Sequence, residues 1–118
     1  MDINSLINKN KISLDGYGDN KFIVSGKIYK NPILVLPNEI KIKKNLKLSN
    51  IKKKYLEQII KRYKLEFIIF GFDSKIKKIL QYKKSCIEVM DTGPACRTIN
   101  ILLSEGRLVG ALIFPIQN

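Results

Sequence analysis

The sequence predicts an α/β fold in which helices cover both faces of a largely parallel sheet. From residue 33 onward, short apolar runs alternate with amphipathic stretches of helical period, which is typical of parallel strands joined by right-handed crossovers. The first third instead contains short apolar runs separated by glycine, asparagine and aspartate, which predicts a β-hairpin region at one edge. The 118 residues fit a single domain, 1–118, in which residues 1–10 are expected to be flexible.

The N-terminal third is predicted to form short strands. Residues 11–15 alternate in polarity and lead into a turn marked by Gly16, Gly18 and Asp19-Asn20. The continuous apolar run 33–36 is typical of a buried strand, whereas 40–43 alternates with lysine and suits a sheet edge that must not pair further. The remaining predicted strands of this region are residues 22–24 and 28–29.

A first helix is predicted over residues 50–64, with Ser49 as its N-cap. One face of this helix is apolar and is formed by Tyr55, Leu56, Ile59, Ile60 and Tyr63. The opposite face carries a candidate interaction surface of four lysines, namely Lys53, Lys54, Lys61 and Lys64.

The C-terminal half continues as strand, helix, strand, helix and strand. Residues 67–70 and 86–90 are predicted strands, and a second helix is expected from Asp73 or Ser74 to residue 84. The third helix has the clearest signals, with Asp91 or Thr92 at its cap, Pro94 in its first turn and Gly106 past its end. A final strand is predicted over residues 108–114.

The chain is strongly basic, with a formal net charge of +12. Such a charge favours anionic partners, because phosphates attract clustered cations. The chain, however, has 19 Lys and only 3 Arg, together with 20 Ile and 10 Asn. AT-rich codons raise Lys, Ile and Asn together, whereas arginine is the better residue for bidentate phosphate recognition. The charge therefore has two competing explanations: a codon bias, which is preferred and would indicate a bacterial source, or a functional basic surface.

The residue types exclude several kinds of site. The chain has no histidine and two cysteines, Cys86 and Cys96. A Ser–His–Asp or Cys–His catalytic arrangement is therefore excluded, and two thiols alone cannot build a structural zinc site. We expect no catalytic residue, no metal and no cofactor, and we expect the two thiols to be free. No signal peptide or Arg-rich presequence is recognisable, so we expect either a bacterial chain or one from which a presequence has been removed. The expected location is the cytoplasm, with the periphery of the inner membrane as the alternative.

The turn between the strand 86–90 and the third helix is the best candidate for a binding site. The first turn of a helix presents unpaired N–H groups and the positive end of a dipole, which can hold an anion. The candidate ligand-binding residues are Asp91, Thr92, Cys96, Arg97 and Thr98. The alternative is that Asp91 and Thr92 only cap the helix, that Cys96 is a small core residue and that Arg97 lies in solvent.

The same stretch resembles the C-terminal signature of the family of the mitochondrial respiratory complex I assembly factor 3. The matching segments are Met90-Asp91-Thr92, Ala95-Cys96-Arg97-Thr98, Asn100-Ile101-Leu102 and Glu105-Gly106-Arg107, followed by the apolar strand. The likeness extends upstream to Gly16-Tyr17-Gly18 and Gly26-Lys27-Ile28-Tyr29. It implies a compact three-layer α/β/α domain around a mixed sheet.

The resemblance also implies a role in protein interaction rather than catalysis. Its implied partners are subunits or assembly factors of respiratory complex I, with peripheral contact at the inner membrane. Two positions depart from the family pattern: Gly71-Phe72-Asp73 replaces a Gly-Thr-Gly turn, where Phe72 is expected to block a ligand from the backbone, and Ile99 replaces a tyrosine. We rank three functions in this order: an interaction protein, a small-anion-binding or enzymatic domain, and a nucleic-acid binder. Nucleic-acid binding is last because no nucleic-acid-binding motif is evident.

Overall fold

Eight strands and two α-helices make up the part of the chain that the computed structural model describes, which is residues 13–73, 75 and 84–116. The helices are α1 (Lys53–Tyr63) and α2 (Thr92–Ser104), and a 3₁₀ turn spans Leu48–Asn50. The strands are β1 (Leu14–Gly18), β2 (Lys21–Val24), β3 (Lys27–Tyr29), β4 (Ile33–Val35), β5 (Ile40–Ile42), β6 (Ile68–Gly71), β7 (Ile87–Met90) and β8 (Gly110–Ile113).

The first three strands form the predicted hairpin region as a separate antiparallel sheet in the order β1-β2-β3. Its turns are tight because their central residues adopt positive φ, with 42° and 64° at Asp19 and Asn20 and 50° and 80° at Ser25 and Gly26. These values are typical of two-residue hairpin turns. The glycines Gly16 and Gly18 lie within β1 itself, so the predicted turn begins later than expected.

The other five strands form a mixed sheet in the order β5-β4-β8-β6-β7. Strands β8, β6 and β7 are parallel to one another, as the crossover pattern predicts. The pairs β4–β5 and β4–β8 are antiparallel, so this sheet is evenly mixed rather than mostly parallel. The reason is that β4 and β5 are joined by a short turn, which allows only antiparallel pairing, and no crossover helix orients β4.

Alternation along the central strands separates the core into two halves, one on each face of the mixed sheet. On β6, Ile68 and Phe70 pack with Leu56 and Ile59 of α1. The intervening Ile69 belongs to the opposite half, which packs against α2 and the hairpin sheet. The α/β architecture with an N-terminal hairpin region is therefore confirmed, with the sheet between α1 on one side and α2 on the other.

Helix α1 begins at Lys53, so the prediction of Ser49 as its N-cap is wrong. The N-cap residue is Lys52, and Ser49 lies in the preceding 3₁₀ turn. The 3₁₀ turn and α1 are separate elements because Ile51, which lies between them, is extended, with φ −85° and ψ 126°, and is buried in the core. Of the second predicted helix, from residue 73 or 74 to 84, the structure describes residues 73, 75 and 84, and the rest of it, like the tail 1–10, lies outside the described residues.

Helix α2 has the boundaries that its sequence signals indicate. Asp91 is the N-cap residue, and its carbonyl accepts a hydrogen bond of 2.9 Å from Ala95 N–H. Gly106 follows the helix with a φ of 76°, a conformation that suits glycine because it has no Cβ. The predicted boundaries are therefore confirmed, with Asp91 rather than Thr92 as the N-cap residue, but the Asp91 side chain makes no capping hydrogen bond to the helix.

The Glu-Gly-Arg segment after α2 fastens this connection to the loop before β6. Arg107 Nη2 donates a 3.0 Å hydrogen bond to Glu66 Oε1, and Leu108 N–H donates to Glu66 Oε2 at 3.2 Å. In return, Glu66 N–H donates to the Leu108 carbonyl at 2.7 Å. The hydrogen bond from Arg107, and then that from Leu108, holds the pKa of the Glu66 carboxyl below its usual value. This part of the signature therefore has a structural role.

Replacing Gly71 with alanine is expected to destabilise the fold by about 1–3 kcal/mol. A methyl group there would come within 2.5 Å of Ala95 Cβ and 3.2 Å of Ile113 Cγ2, so α2 would be pushed from the sheet. The matched control is Gly16→Ala, whose nearest contact is 3.4 Å from Ile23 Cδ1. Urea denaturation measures both changes in the free energy of unfolding.

The Gly71→Ala/Ala95→Gly double variant separates this clash from other effects of the methyl group. Ala95→Gly alone costs about 1 kcal/mol of helix propensity, but in the double variant it removes the atom that the new methyl group meets. The double variant is therefore expected to be more stable than the sum of the single changes predicts. Strict additivity would contradict the close approach of α2 to β6.

Candidate functional site

The predicted binding turn lies where the strands β6, β7 and β8 end, the edge at which open α/β sheets usually place ligands. Thr92, the first residue of α2, is 3% exposed, and its Oγ1 donates a 2.8 Å hydrogen bond to the Phe114 carbonyl just after β8. This bond ties the helix start to the end of the central strand. The Thr92 hydroxyl thus satisfies a buried backbone acceptor rather than facing a ligand.

Cys96 is buried on the face of α2 that packs against the sheet, with 1% of its surface exposed. Burial raises the pKa of its thiol to about 12, and the nearby Arg97 charge only partly offsets this. The thiolate is the reactive form of cysteine. Cys96 is therefore a core residue and is not poised as a nucleophile. Both thiols are free, and Cys86 is half-buried.

Arg97 is exposed and reaches across to the hairpin sheet, where its Nη1 donates a hydrogen bond to the Tyr17 hydroxyl. The Tyr17 ring lies against Gly93, where an added Cβ would be 3.2 Å from Cε2. A cavity of about 70 Å³ lies between Tyr17 and Arg97 and is lined also by Cys96 and Asn100. That volume is far below the roughly 300 Å³ at which small-molecule pockets begin.

The candidate ligand-binding residues are therefore divided between two environments. Thr92 and Cys96 are buried, whereas Asp91 and Arg97 are exposed and Thr98 is half-buried. The hairpin sheet also contacts this region through the Asn100 amide, which donates a 3.1 Å hydrogen bond to the Leu14 carbonyl. An anion site at this turn stays a prediction. In this conformation the Nη1 group of Arg97 already donates a hydrogen bond to the Tyr17 hydroxyl.

The candidate interaction surface lies on the solvent side of α1. Lys53, Lys54 and Lys61 are exposed and lie within about 100° of arc, at about 100° per residue. Lys64 ends the helix in the left-handed conformation, with φ 54° and ψ 47°. Glu57 lies among these lysines and forms an ion pair with Lys84, which raises the pKa of that lysine. The structure thus gathers the predicted lysines on one face with net positive charge.

An aromatic and cationic cluster lies at the C-terminal end of α1, on the side of the helix that faces the edge strand β5. The Lys41 ammonium lies 5.4 Å and the Arg62 guanidinium 5.6 Å from the centre of the Tyr63 ring, distances that allow cation–π attraction. A hydrogen bond from Lys41 lowers the pKa of the Tyr63 hydroxyl and raises that of Lys41. A cavity of about 220 Å³, lined also by Lys43 and Tyr55, adjoins this cluster.

A further cavity, here called the strand-end pocket, was not predicted from the sequence. Its volume is about 340 Å³, and it is open to solvent. The pocket is lined by Lys30, Pro32, Leu46, Lys47, Leu48, Phe72, Asp73, Phe114 and Pro115. These residues come from four segments that are distant in the sequence, so neither a motif nor a periodicity indicates them. The one sequence feature that points to this region is Phe72, which replaces the threonine of the family's Gly-Thr-Gly turn.

Within residues 13–73, 75 and 84–116, no three His, Cys, Asp or Glu side chains come together in a way that could hold a metal ion. No helix in these same ranges is long and apolar enough to cross a membrane.

Comparison with known proteins identifies relatives over most of the chain. Residues 14–114 match the model of a family described as protein of unknown function (DUF498/DUF598). The NADH dehydrogenase [ubiquinone] 1 alpha subcomplex assembly factor 3 of Xenopus tropicalis is 29% identical over 114 residues, which cover 88% of this chain and 61% of that protein. The Bos taurus protein of the same name is 24% identical, with 86% and 60% covered. The chain thus spans about three fifths of these relatives.

Solved structures share the fold. A protein of Bartonella henselae, described as an outer membrane protein, has a TM-score of 0.66 at 22% identity, covering 92% of this chain and 98% of that one. A Mth938-like domain of Bordetella pertussis has a TM-score of 0.60 at 20% identity, covering 88% and 85%. A Rhodopseudomonas palustris protein reaches 0.63 at 25% identity, covering 87% and 82%. These similarities support the fold alone.

The two thiols are expected to differ sharply in reactivity toward iodoacetamide. A rise of the Cys96 pKa from 9.0 to about 12 lowers its thiolate fraction about a thousandfold near neutral pH, and burial restricts access further. In the folded protein Cys86 should be alkylated while Cys96 stays protected, as read by peptide mass spectrometry. Denatured protein, in which both should react, is the control. Equal alkylation rates in the folded state would contradict the burial of Cys96.

Proposed function

The chain belongs to the protein family of unknown function described as DUF498/DUF598, and we propose that it is a non-enzymatic interaction protein that assists the assembly of respiratory complex I. The observation that carries this proposal is the likeness to two vertebrate assembly factors over 88% and 86% of the chain. In this proposal its partners are complex I subunits or other assembly factors, and it acts in the cytoplasm beside the inner membrane.

The basic face of α1 is the surface that we assign to this role. Exposed lysines speed association with an acidic partner and fix its orientation more than they raise the affinity of the complex. Tyr63 and Arg62 at the end of the same helix are residue types that often dominate the binding energy of an interface. A partner that reaches around the end of α1 would contact both the lysines and this cluster.

The same lysines can attract anionic lipid headgroups. Each lysine near an anionic membrane surface contributes about 1 kcal/mol to its attraction. Lys53, Lys54 and Lys61 share one face, so they can meet a flat surface together. In the proposal, this contact keeps the protein beside the membrane where complex I is built, and the protein partner supplies specificity.

Reversing the charge of the basic face is expected to reduce partner recovery about tenfold. The test variant is Lys53→Glu/Lys54→Glu/Lys61→Glu, which leaves Lys64 unchanged because that residue ends the helix in the left-handed conformation. The tagged protein is captured from its own cells after mild crosslinking, and NADH dehydrogenase subunits are quantified by mass spectrometry. The parent chain should enrich these subunits, and the variant should not.

The control for this experiment is Lys27→Glu/Lys44→Glu/Lys75→Glu. These three lysines are exposed but lie outside α1, and the change in net charge is the same. If both variants lose the partner equally, net charge rather than the basic face is responsible. If the parent chain enriches no respiratory subunit, the assembly role is wrong. Circular dichroism establishes that both variants remain folded.

A further inference from the structure

The strand-end pocket has an apolar wall that the register of the mixed sheet assembles. Gly71 pairs with Ile113 in the parallel pair β6–β8, so the next residues, Phe72 and Phe114, lie beside each other past the strand ends. Phe114 N–H donates a 2.8 Å hydrogen bond to the Gly71 carbonyl, which fixes this arrangement. Both rings pack against Phe70, at 4.9 and 6.1 Å between ring centres.

The opposite side of the strand-end pocket comes from the segment after β5. Leu46 and Leu48 are half-buried and pack against the same half of the core as Phe72 and Phe114. Pro32 before β4 and Pro115 after β8 complete the apolar lining. The pocket volume of about 340 Å³ falls at the lower end of the range for small-molecule sites, about 300–1,000 Å³.

Three charged residues also line the pocket. Lys30 and Lys47 are exposed, and neither is in an ion pair with another residue of the described part of the chain. Asp73 is half-buried, and its Oδ1 accepts a 3.0 Å hydrogen bond from Lys75 N–H. Two positive charges and one negative charge leave a net charge of +1 around an apolar cavity.

We propose that the strand-end pocket binds a small amphipathic monocarboxylate. Its hydrocarbon part would lie between the leucines and the phenylalanine wall, where removal from water is favourable by about 25 cal/mol per Å² of apolar surface. Its carboxylate would lie at the rim, where Lys30 and Lys47 can both donate hydrogen bonds to it.

The charge at the rim selects a monoanion over a dianionic phosphate. One negative charge on the ligand balances the net charge of the lining residues, whereas a second would be repelled by Asp73. Lysine binds phosphate as a point charge, but the forked geometry that favours phosphate recognition is that of arginine, and no arginine lines this pocket. This site is independent of the basic face of α1.

The test is a titration of the ¹⁵N-labelled protein with octanoate, below the concentration at which octanoate forms micelles, followed by amide chemical shifts. Shifts are expected at Leu46, Leu48 and Phe72. The variant Lys30→Gln/Lys47→Gln should weaken binding about five- to tenfold, as expected for two solvent-exposed charge pairs. The control Lys27→Gln/Lys44→Gln, which changes the net charge equally at exposed positions that do not line the pocket, should bind octanoate as the parent does.

The headgroup is tested with two compounds of the same chain length, 1-octanol and octyl phosphate. Weaker binding of both than of octanoate supports the proposal. Binding of 1-octanol as tight as that of octanoate would show that the lysines contribute nothing, and tighter binding of octyl phosphate would overturn the choice of a monoanion. Equal weakening in the control variant, or no shifts at the pocket, would overturn the site itself.

Discussion

The close contact between the start of α2 and the ends of β6 and β8 is the constraint on which the rest of the structure depends. Gly71 has no side chain, which leaves room for Ala95, while the Thr92 hydroxyl satisfies the buried Phe114 carbonyl at 2.8 Å. With the helix held at this distance, Cys96 lies against the sheet and Arg97 can reach Tyr17 on the hairpin. The same contact orders the backbone after β8, and thereby one wall of the strand-end pocket.

The residues that give the chain its family signature therefore hold the fold together. Thr92 and Cys96 are buried, and Arg107 fastens the end of α2 to Glu66. The proposed binding surfaces lie elsewhere, on the solvent side of α1 and in the strand-end pocket. The signature residues of this chain therefore secure its architecture.

The sequence predicts the elements well where local signals act alone, as at α2, whose cap and terminal glycine are both found where expected. It fails where tertiary packing overrides propensity: Ile51 is drawn into the core, so α1 starts after it rather than at Ser49. The strand-end pocket could not be predicted, because Phe72 and Phe114 become neighbours only through the register of β6 and β8. The lysines of α1 could be predicted, since helical periodicity alone places them on one face.

The free energy of unfolding of Thr92→Val, measured by urea denaturation, tests most directly whether the signature holds the fold. Valine keeps the shape of threonine but leaves the buried Phe114 carbonyl without its hydrogen bond, so a loss of about 1–3 kcal/mol is expected. Thr98→Val, at a half-buried position of the same helix, should change stability by only about 0.5 kcal/mol. Equal and small effects of the two substitutions would contradict the account and return Thr92 to the candidates for ligand binding.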